Sequence, residues 1–281
     1  MDHTATLIAL ALAEDIGNGD VTAEYFVPAD RRATAFVTAR KKGVLSGVEV
    51  AARVFKTVDP GLDVKILIPD GSHVAADALV LQIEGAARSI LTAERTALNF
   101  LQRLSGIATL TASYVEQVKG TGVRILDTRK TTPGYRALEK QAVLHGGGNN
   151  HRIGLYDRAM VKDNHLVAEG GLPAIQAAIR QLKQDRPGVE VQLEADSLEQ
   201  VAEFLKMEGV DYILLDNMTL EEMRAAVASR GPRTQPQLEA SGGVNLESVA
   251  KIAATGVDYI SIGALTHSAP ALDVGLDFQT N

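Results

Sequence analysis

The chain has 281 residues, 46% of them hydrophobic and 22% charged, with a net charge of −7 and no cysteine. Such a composition supports one large globular domain or two, with a real core, and rules out intrinsic disorder. It also excludes disulfides, thiolate metal sites and a cysteine nucleophile, and the acidic balance argues against a broad nucleic-acid surface.

The first apolar run, Ala5 to Ala13, is too short to span a membrane and lacks the basic flank and cleavage site of a signal peptide. It predicts an amphipathic helix over 4–14 in a cytoplasmic protein without a membrane anchor. Strand-like runs follow at 33–40, 63–68 and 78–85, separated by a helix over 46–57 and by turn signals at Asp59-Pro60-Gly61 and Asp70-Gly71. These describe a smaller, mainly antiparallel sheet domain. A helical stretch over 88–118, interrupted near Gly106, leads onward, and the domain boundary is placed near Ser105, giving domains 1–105 and 106–281.

The second half repeats a strand-helix unit. Strands are predicted at 123–129 and 158–163, and Pro173 with Ile175, Ile179 and Leu182 marks a helix. Four further strands begin at 189, 211, 237 and 258, which are 22, 26 and 21 residues apart. Their helices carry recognisable starts: Ser197 with Gln200, Thr219 with Glu222, and Asn245. A strand, a turn and three helical turns need about that spacing, and right-handed crossovers then make the strands parallel. Six such strands predict a closed or nearly closed α/β barrel, with a doubly wound open sheet as the competing architecture. The tail after His267 is free to return to either domain.

Ligands of a parallel barrel sit at the carboxyl ends of its strands. There the sequence places Asp127, Arg129 and Lys130; Lys162 and Asp163; Glu194; Asp216; Ser241, Gly242 and Gly243; and Gly263 with Ala264. Between Arg124 and Lys162 there are eight basic residues and three acidic ones, a concentration that points to a small polyanion. Arg129, Lys130, Arg152 and Lys162 suit carboxylates and phosphates, and Glu194 with Asp216 suits Mg²⁺. Ser241-Gly242-Gly243 ahead of the helix capped by Asn245 offers backbone N–H groups to a phosphate. Plainer readings stand beside these. In these, Glu194 and Asp216 each answer a rim lysine, Gly146-Gly147-Gly148 is a mobile loop, and Asp127 only orients Arg129. Together the groups imply a phosphorylated sugar substrate and a second anionic reactant.

Several segments resemble the quinolinate phosphoribosyltransferase (nicotinate-nucleotide pyrophosphorylase, carboxylating) family of type II phosphoribosyltransferases. They are EDIGNGDVT (14–22), ERTALNFLQRLSGIAT (94–109), DTRKTTPGYRALEKQAV (127–143), GGGNNHRIGL (146–155), KDNH (162–165), ILLDNM (213–218), LEASGGV (238–244) and ISIGALTHS (260–268). The likeness covers almost the whole chain in order. It implies an incomplete α/β barrel with an N-terminal α/β sandwich domain, and a homodimer or a trimer of dimers with shared active sites. By motif position, Arg95 would reach the partner subunit's site, and Arg129, His151, Arg152 and Lys162 would bind quinolinate. Lys130, Thr131, Glu194 and Asp216 would hold phosphoribosyl pyrophosphate and its Mg²⁺, with Lys130, Glu194 and Asp216 as the catalytic set. Ser241, Gly242, Gly243, Ile262, Gly263 and Ala264 would hold the 5′-phosphate. Gln192 and Gln141 depart from the usual pattern without removing a ligand. The implied reaction transfers phosphoribosyl to quinolinate with loss of carbon dioxide, giving nicotinate mononucleotide for NAD biosynthesis.

Other readings account for less. A Schiff-base lyase using Lys162 leaves Glu194, Asp216 and SGGV unexplained. Against a molybdenum-transport paralogue, or a relative that only binds phosphorylated ligands, stand the intact NHR and KDNH motifs.

Overall fold

The computed structural model describes residues 2–162 and 171–279. Asp163, Asn164 and His165 of the KDNH motif lie outside the described residues. The chain forms two compact units: Met1–Ala112 with Thr131–Gly147 and Leu265–Asn281, and Ser113–Lys130 with Gly148–Ala264. It passes between them four times, where the sequence reading places one boundary near Ser105.

In chain order the elements begin with α1 (His3–Ile16), α2 (Val21–Phe26), β1 (Arg32–Ala39), β2 (Gly43–Val44), α3 (Val48–Val58), β3 (Asp63–Ile66), β4 (His73–Val74), β5 (Leu79–Ala86) and α4 (Ala87–Gln117). They continue with β6 (Arg124–Leu126), α5 (Arg136–His145), β7 (Arg158–Val161), α6 (Gly171–Asp185), β8 (Glu190–Ala195), α7 (Leu198–Phe204) and β9 (Tyr212–Asp216). The last are α8 (Leu220–Arg230), β10 (Gln237–Ser241), α9 (Val249–Ala253), β11 (Tyr259–Ser261), α10 (Ala264–His267) and β12 (Val274–Phe278).

In the first unit β12, β1, β5 and β3 form an antiparallel sheet in that order. Alternate residues point to one side, so Ala35, Val37 and Ala39 of β1 and Leu81 and Ile83 of β5 are all buried. They join Val54, Phe55, Ile90, Leu98 and Leu101 from α3 and α4 in a single apolar core. The sequence reading lacked α2, whose start is fixed by the Asp20 carboxylate accepting the Ala23 N–H. It also expected α4 to break at Gly106. The helix is continuous there, and the glycine has another reason: a Cβ at Gly106 would collide with the Pro270 carbonyl oxygen. Gly106 is there to let the chain tail lie against the helix.

The second unit holds a six-stranded parallel sheet in the order β6-β11-β10-β9-β8-β7. Strands β6 and β7, successive in sequence, are its two edges, so the barrel stays incomplete between them. Beside β6, the Asn149 N–H donates to Ile125 and the Asn149 carbonyl accepts from Asp127. The register sorts the side chains by face. Val191, Leu193, Ala195, Ile213, Leu215, Leu238, Ala240 and Ile260 share one face and are buried. Gln192, Glu194, Tyr212, Asp216, Glu239, Ser241, Tyr259 and Ser261 share the other. The outer face toward the helices is thus apolar, and the inner face is polar except for buried Leu214.

The amino ends of two strands are tied alike. Asp211 accepts the Val191 N–H (2.7 Å) and Lys183 Nζ (2.6 Å); Asp258 accepts the Leu238 N–H (2.7 Å) and the Arg230 guanidinium. The sequence repeats to match, with Gly-Val-Asp-Tyr-Ile at 209–213 and 256–260 and Gln-Leu-Glu-Ala at 192–195 and 237–240. Among the described residues no helix is long and apolar enough to cross a membrane.

Candidate active site

Because the six strands are parallel, their carboxyl ends lie along one edge, and the sequence-selected residues of the second unit gather there. Lys162 follows β7 one step past the Val161–Leu193 pair, which sets it opposite Glu194. Its Nζ lies 2.5 Å from Glu194 Oε2. Glu194 is thus answered by a rim lysine. Asp216 ends β9 and accepts a hydrogen bond from Asn217 Nδ2 at 2.8 Å.

Asn217 was not singled out in the sequence, and it does two things. Its backbone is left-handed (φ 53°), and its side chain lies where a Cβ on Gly242 (φ 104°) would have to be. Its N–H also donates to the Ser241 carbonyl at 2.9 Å. The turns after β9 and β10 are therefore interlocked, and Gly242 is required both for its φ and for the close approach. Gly243 (φ 58°) follows with open space beside it.

The expected helix start at Asn245 is different. Asn245 Oδ1 accepts the Glu247 and Ser248 N–H groups, both at 3.0 Å, and caps a turn; the helix itself begins at Val249 and has five residues. Its dipole is too short to be an argument, so an anion here would rest on the backbone of Gly242 and Gly243. Ile262 has a buried side chain and gives its N–H to Leu126, which fixes Gly263 and Ala264 behind it.

Arg129 and Arg152 are half-buried and Lys130 is exposed. Arg129 Nε is buried without a hydrogen-bond partner. Arg152 donates to the Arg158 carbonyl and to Met160 Sδ. Burial, and then the neighbouring Arg129, push its guanidinium below the ordinary arginine value, with Arg158 adding to the effect. Arg129 and Arg152 side by side repel one another, and such a pair suits an anion. Not all of the basic stretch takes part. Arg158 is bound to Glu190 at 2.7 Å and stacked 4.0 Å over Tyr212, and Lys140 is buried in the first unit.

His151 is buried. Its N–H donates to Asp127 Oδ1 (2.8 Å), its Nδ1 accepts the Arg152 N–H (2.7 Å), and its Nε2 lies 3.4 Å from Glu239 Oε2. Asp127, expected to orient Arg129, thus holds the backbone at His151. Arg95 and Thr131 belong to the first unit. Arg95 is exposed on α4, and Thr131 Oγ1 accepts from Arg136 at 3.1 Å. The adjoining Thr132 is pinned by fully buried Glu139, which accepts its N–H (3.0 Å) and is gripped by Arg103 (2.8 Å). The triple glycine is no mobile loop where it starts: Gly146 is packed hard against Ala108 and Thr111 of α4.

No group of three or more His, Asp or Glu gathers as a metal cage among the described residues. Glu194 and Asp216, on one face of neighbouring strands, are a two-carboxylate set of the kind that Mg²⁺ uses together with phosphate oxygens and water.

Two family models match the chain, the N-terminal domain of quinolinate phosphoribosyl transferase over residues 20–105 and its C-terminal domain over 107–277. The chain is 44% identical to the nicotinate-nucleotide pyrophosphorylase [carboxylating] of Mycobacterium leprae, covering 98% of this chain and 97% of that one. It is 42% identical to the chloroplastic enzyme of the same name from Arabidopsis thaliana, covering 98% and 82%. The nicotinate-nucleotide pyrophosphorylase structure from Francisella tularensis superposes with a TM-score of 0.93 at 39% identity, covering 99% and 96%. With both of its domains matched in order, and with a 44% identical relative over nearly its whole length, the chain belongs to the quinolinate phosphoribosyltransferase family.

Proposed function

We propose that the chain transfers the phosphoribosyl group of phosphoribosyl pyrophosphate to quinolinate, releasing pyrophosphate and carbon dioxide and leaving nicotinate mononucleotide for NAD biosynthesis. The observation that carries this reading is the half-buried pair Arg129 and Arg152, close enough for their charges to oppose each other, together with Lys162, Glu194 and Asp216 at the carboxyl ends of the strands. A diacid and a sugar diphosphate are the pair of anions such an edge would take.

In this reading Arg129, Arg152 and Lys162 hold the two carboxylates of quinolinate, with His151 behind them. The ring nitrogen attacks the anomeric carbon as the C–O bond to pyrophosphate breaks. Lys130 would meet the departing pyrophosphate, and Glu194 and Asp216 would hold a Mg²⁺ that neutralises its charge. Ser241, Gly242, Gly243, Gly263 and Ala264 cradle the 5′-phosphate. Once quaternised, the ring accepts the electron pair of the breaking C–C bond as carbon dioxide leaves, and a proton from solvent replaces it. Positioning and charge neutralisation suffice, without a covalent intermediate. The working form is a cytoplasmic homodimer or trimer of dimers in which Arg95 completes the partner subunit's site.

The test is incubation with quinolinate, phosphoribosyl pyrophosphate and Mg²⁺, following carbon dioxide and mononucleotide, with nicotinate in parallel. Carbon dioxide and mononucleotide in equal amounts from quinolinate are expected. Phosphoribosyl-ligand binding without turnover would favour a non-catalytic relative.

A further inference from the structure

Two carboxylates in the second unit, Asp127 and Glu239, are wholly buried. Each is tied to the same short segment. Asp127 takes the His151 N–H, and the imidazole takes the Arg152 N–H on Nδ1. Since Nδ1 uses its lone pair in that bond, the ring proton belongs on Nε2, which faces Glu239. Glu239 Oε2 is further held by Gln192 Nε2 at 2.8 Å, and the Ser261 hydroxyl also bonds the carboxylate. Burial pushes this carboxyl up, but the His151 ring 3.4 Å away and the bonds from Ser261 and Gln192 outweigh it and hold it below the ordinary range.

The arrangement runs in one line from Glu239, through a ring with a fixed tautomer, to the backbone of Arg152. Arg152 stands against Arg129 and Arg158, whose charges oppose its own, and its guanidinium is also held by the Arg158 carbonyl and Met160 Sδ. A second carboxylate at the other end of the segment stops the backbone from rotating about His151. Resting on the functional reading above, we propose that Glu239, acting through His151, is a positioning residue that keeps the Arg152 guanidinium in place for the second carboxylate of the diacid. It touches no substrate. Its effect falls on recognition of quinolinate and leaves phosphoribosyl pyrophosphate alone.

The test is steady-state kinetics of Glu239→Gln, which keeps shape and volume and removes the charge. The expected result is a rise of about tenfold or more in KM for quinolinate, with KM for phosphoribosyl pyrophosphate within about twofold of wild type and kcat within about threefold. His151→Asn, whose amide oxygen replaces Nδ1 as acceptor but does not reach Glu239, should raise the same constant. In the double variant the two effects should overlap and not multiply. A quinolinate KM unchanged in Glu239→Gln overturns the inference. So does a parallel rise in both substrates' KM with a lowered thermal midpoint, the mark of a merely structural group. Should Glu239→Gln not fold, Ser261→Ala takes its place, expected to raise the quinolinate KM alone by about threefold, and no rise overturns the inference equally. Wild-type protein that releases no carbon dioxide from quinolinate defeats the functional reading instead, so the two failures are distinct.

Discussion

Lys162 and Glu194 form an ion pair of 2.5 Å at the carboxyl ends of neighbouring parallel strands, one residue past the last paired position. The pair neutralises itself, so a ligand that takes either partner must release the other. If Lys162 goes to the diacid and Glu194 to the metal-bound diphosphate, the two substrates help each other to bind. Lys162→Met should raise KM for quinolinate by about tenfold or more, while Glu194→Gln should act mainly on phosphoribosyl pyrophosphate and Mg²⁺. Initial-rate measurements with each substrate varied will check the split.

Lys130 follows a turn fixed by its own N–H donating to Thr128 Oγ1 at 3.1 Å, and it is exposed. Lys130→Ala should therefore leave the fold intact and lower turnover about a hundredfold or more, since the lost interaction is with charge developing on the leaving group. Circular dichroism and kcat are the two readouts. A near-normal rate would remove Lys130 from the catalytic set.

Asn217 both orients Asp216 and fills the space over Gly242. Asn217→Ala should raise the Mg²⁺ concentration for half-maximal activity by about three- to tenfold, as loss of a partner behind a metal ligand does. Gly242→Ala puts a Cβ onto Asn217 at a φ that disfavours it, and should cut activity at least about tenfold and lower the urea midpoint as well. Mg²⁺ titration of the rate, with urea unfolding as control, covers both.

The amino-end ties carry stability and no chemistry. Asp258→Ala frees the Leu238 N–H and leaves Arg230, whose side chain is only 9% exposed, without its carboxylate. The expected loss is about 1–3 kcal/mol, read as a lower urea midpoint, with KM values unchanged. A wild-type midpoint would show that the tie contributes nothing.

Asp20 caps α2. The Ala23 N–H, with help from the Thr92 hydroxyl, outweighs the opposing effect of burial and holds its carboxyl below the ordinary value. A lowered folded pKa means that its contribution is complete above the unfolded value, about 4, and drains away as pH falls through the folded one. Asp20→Asn keeps a capping oxygen but cannot titrate. The stability difference between wild type and variant should therefore shrink on going from pH 7 to below pH 4, measured by thermal unfolding across that range.

Much of the second unit was legible because strands buried on one face and aimed at a mouth on the other declare themselves: apolar alternation, then a charged or glycine residue at the end. Gln237–Ser241 was placed to the residue, and Tyr212–Asp216 to within one. What escaped depends on partners distant in sequence. Gly106 looks like a helix breaker until Pro270 is seen lying on it, and β12 has no signal until β1 is there to pair with. In the site, cations and carboxylates could be chosen by type, but their pairings could not. That Lys162 meets Glu194, that Asp127 serves His151, and that Glu239 is interior follow from register and burial, which sequence spacing does not encode. Asn217 was missed because its use lies in a left-handed backbone beside a glycine at the neighbouring strand end.

The two matching aspartate ties at the foot of the barrel have an engineering consequence. Each strand-helix-strand module, β8 to β9 and β10 to β11, brings its own anchor, while the free tips differ: carboxylates on one, bare glycine backbone on the other. A module is thus a cartridge that seats by its base and works by its tip. Chimeras that exchange one module between related enzymes, cut on the anchor side, should keep their seating and carry the donor's ligand preference with them.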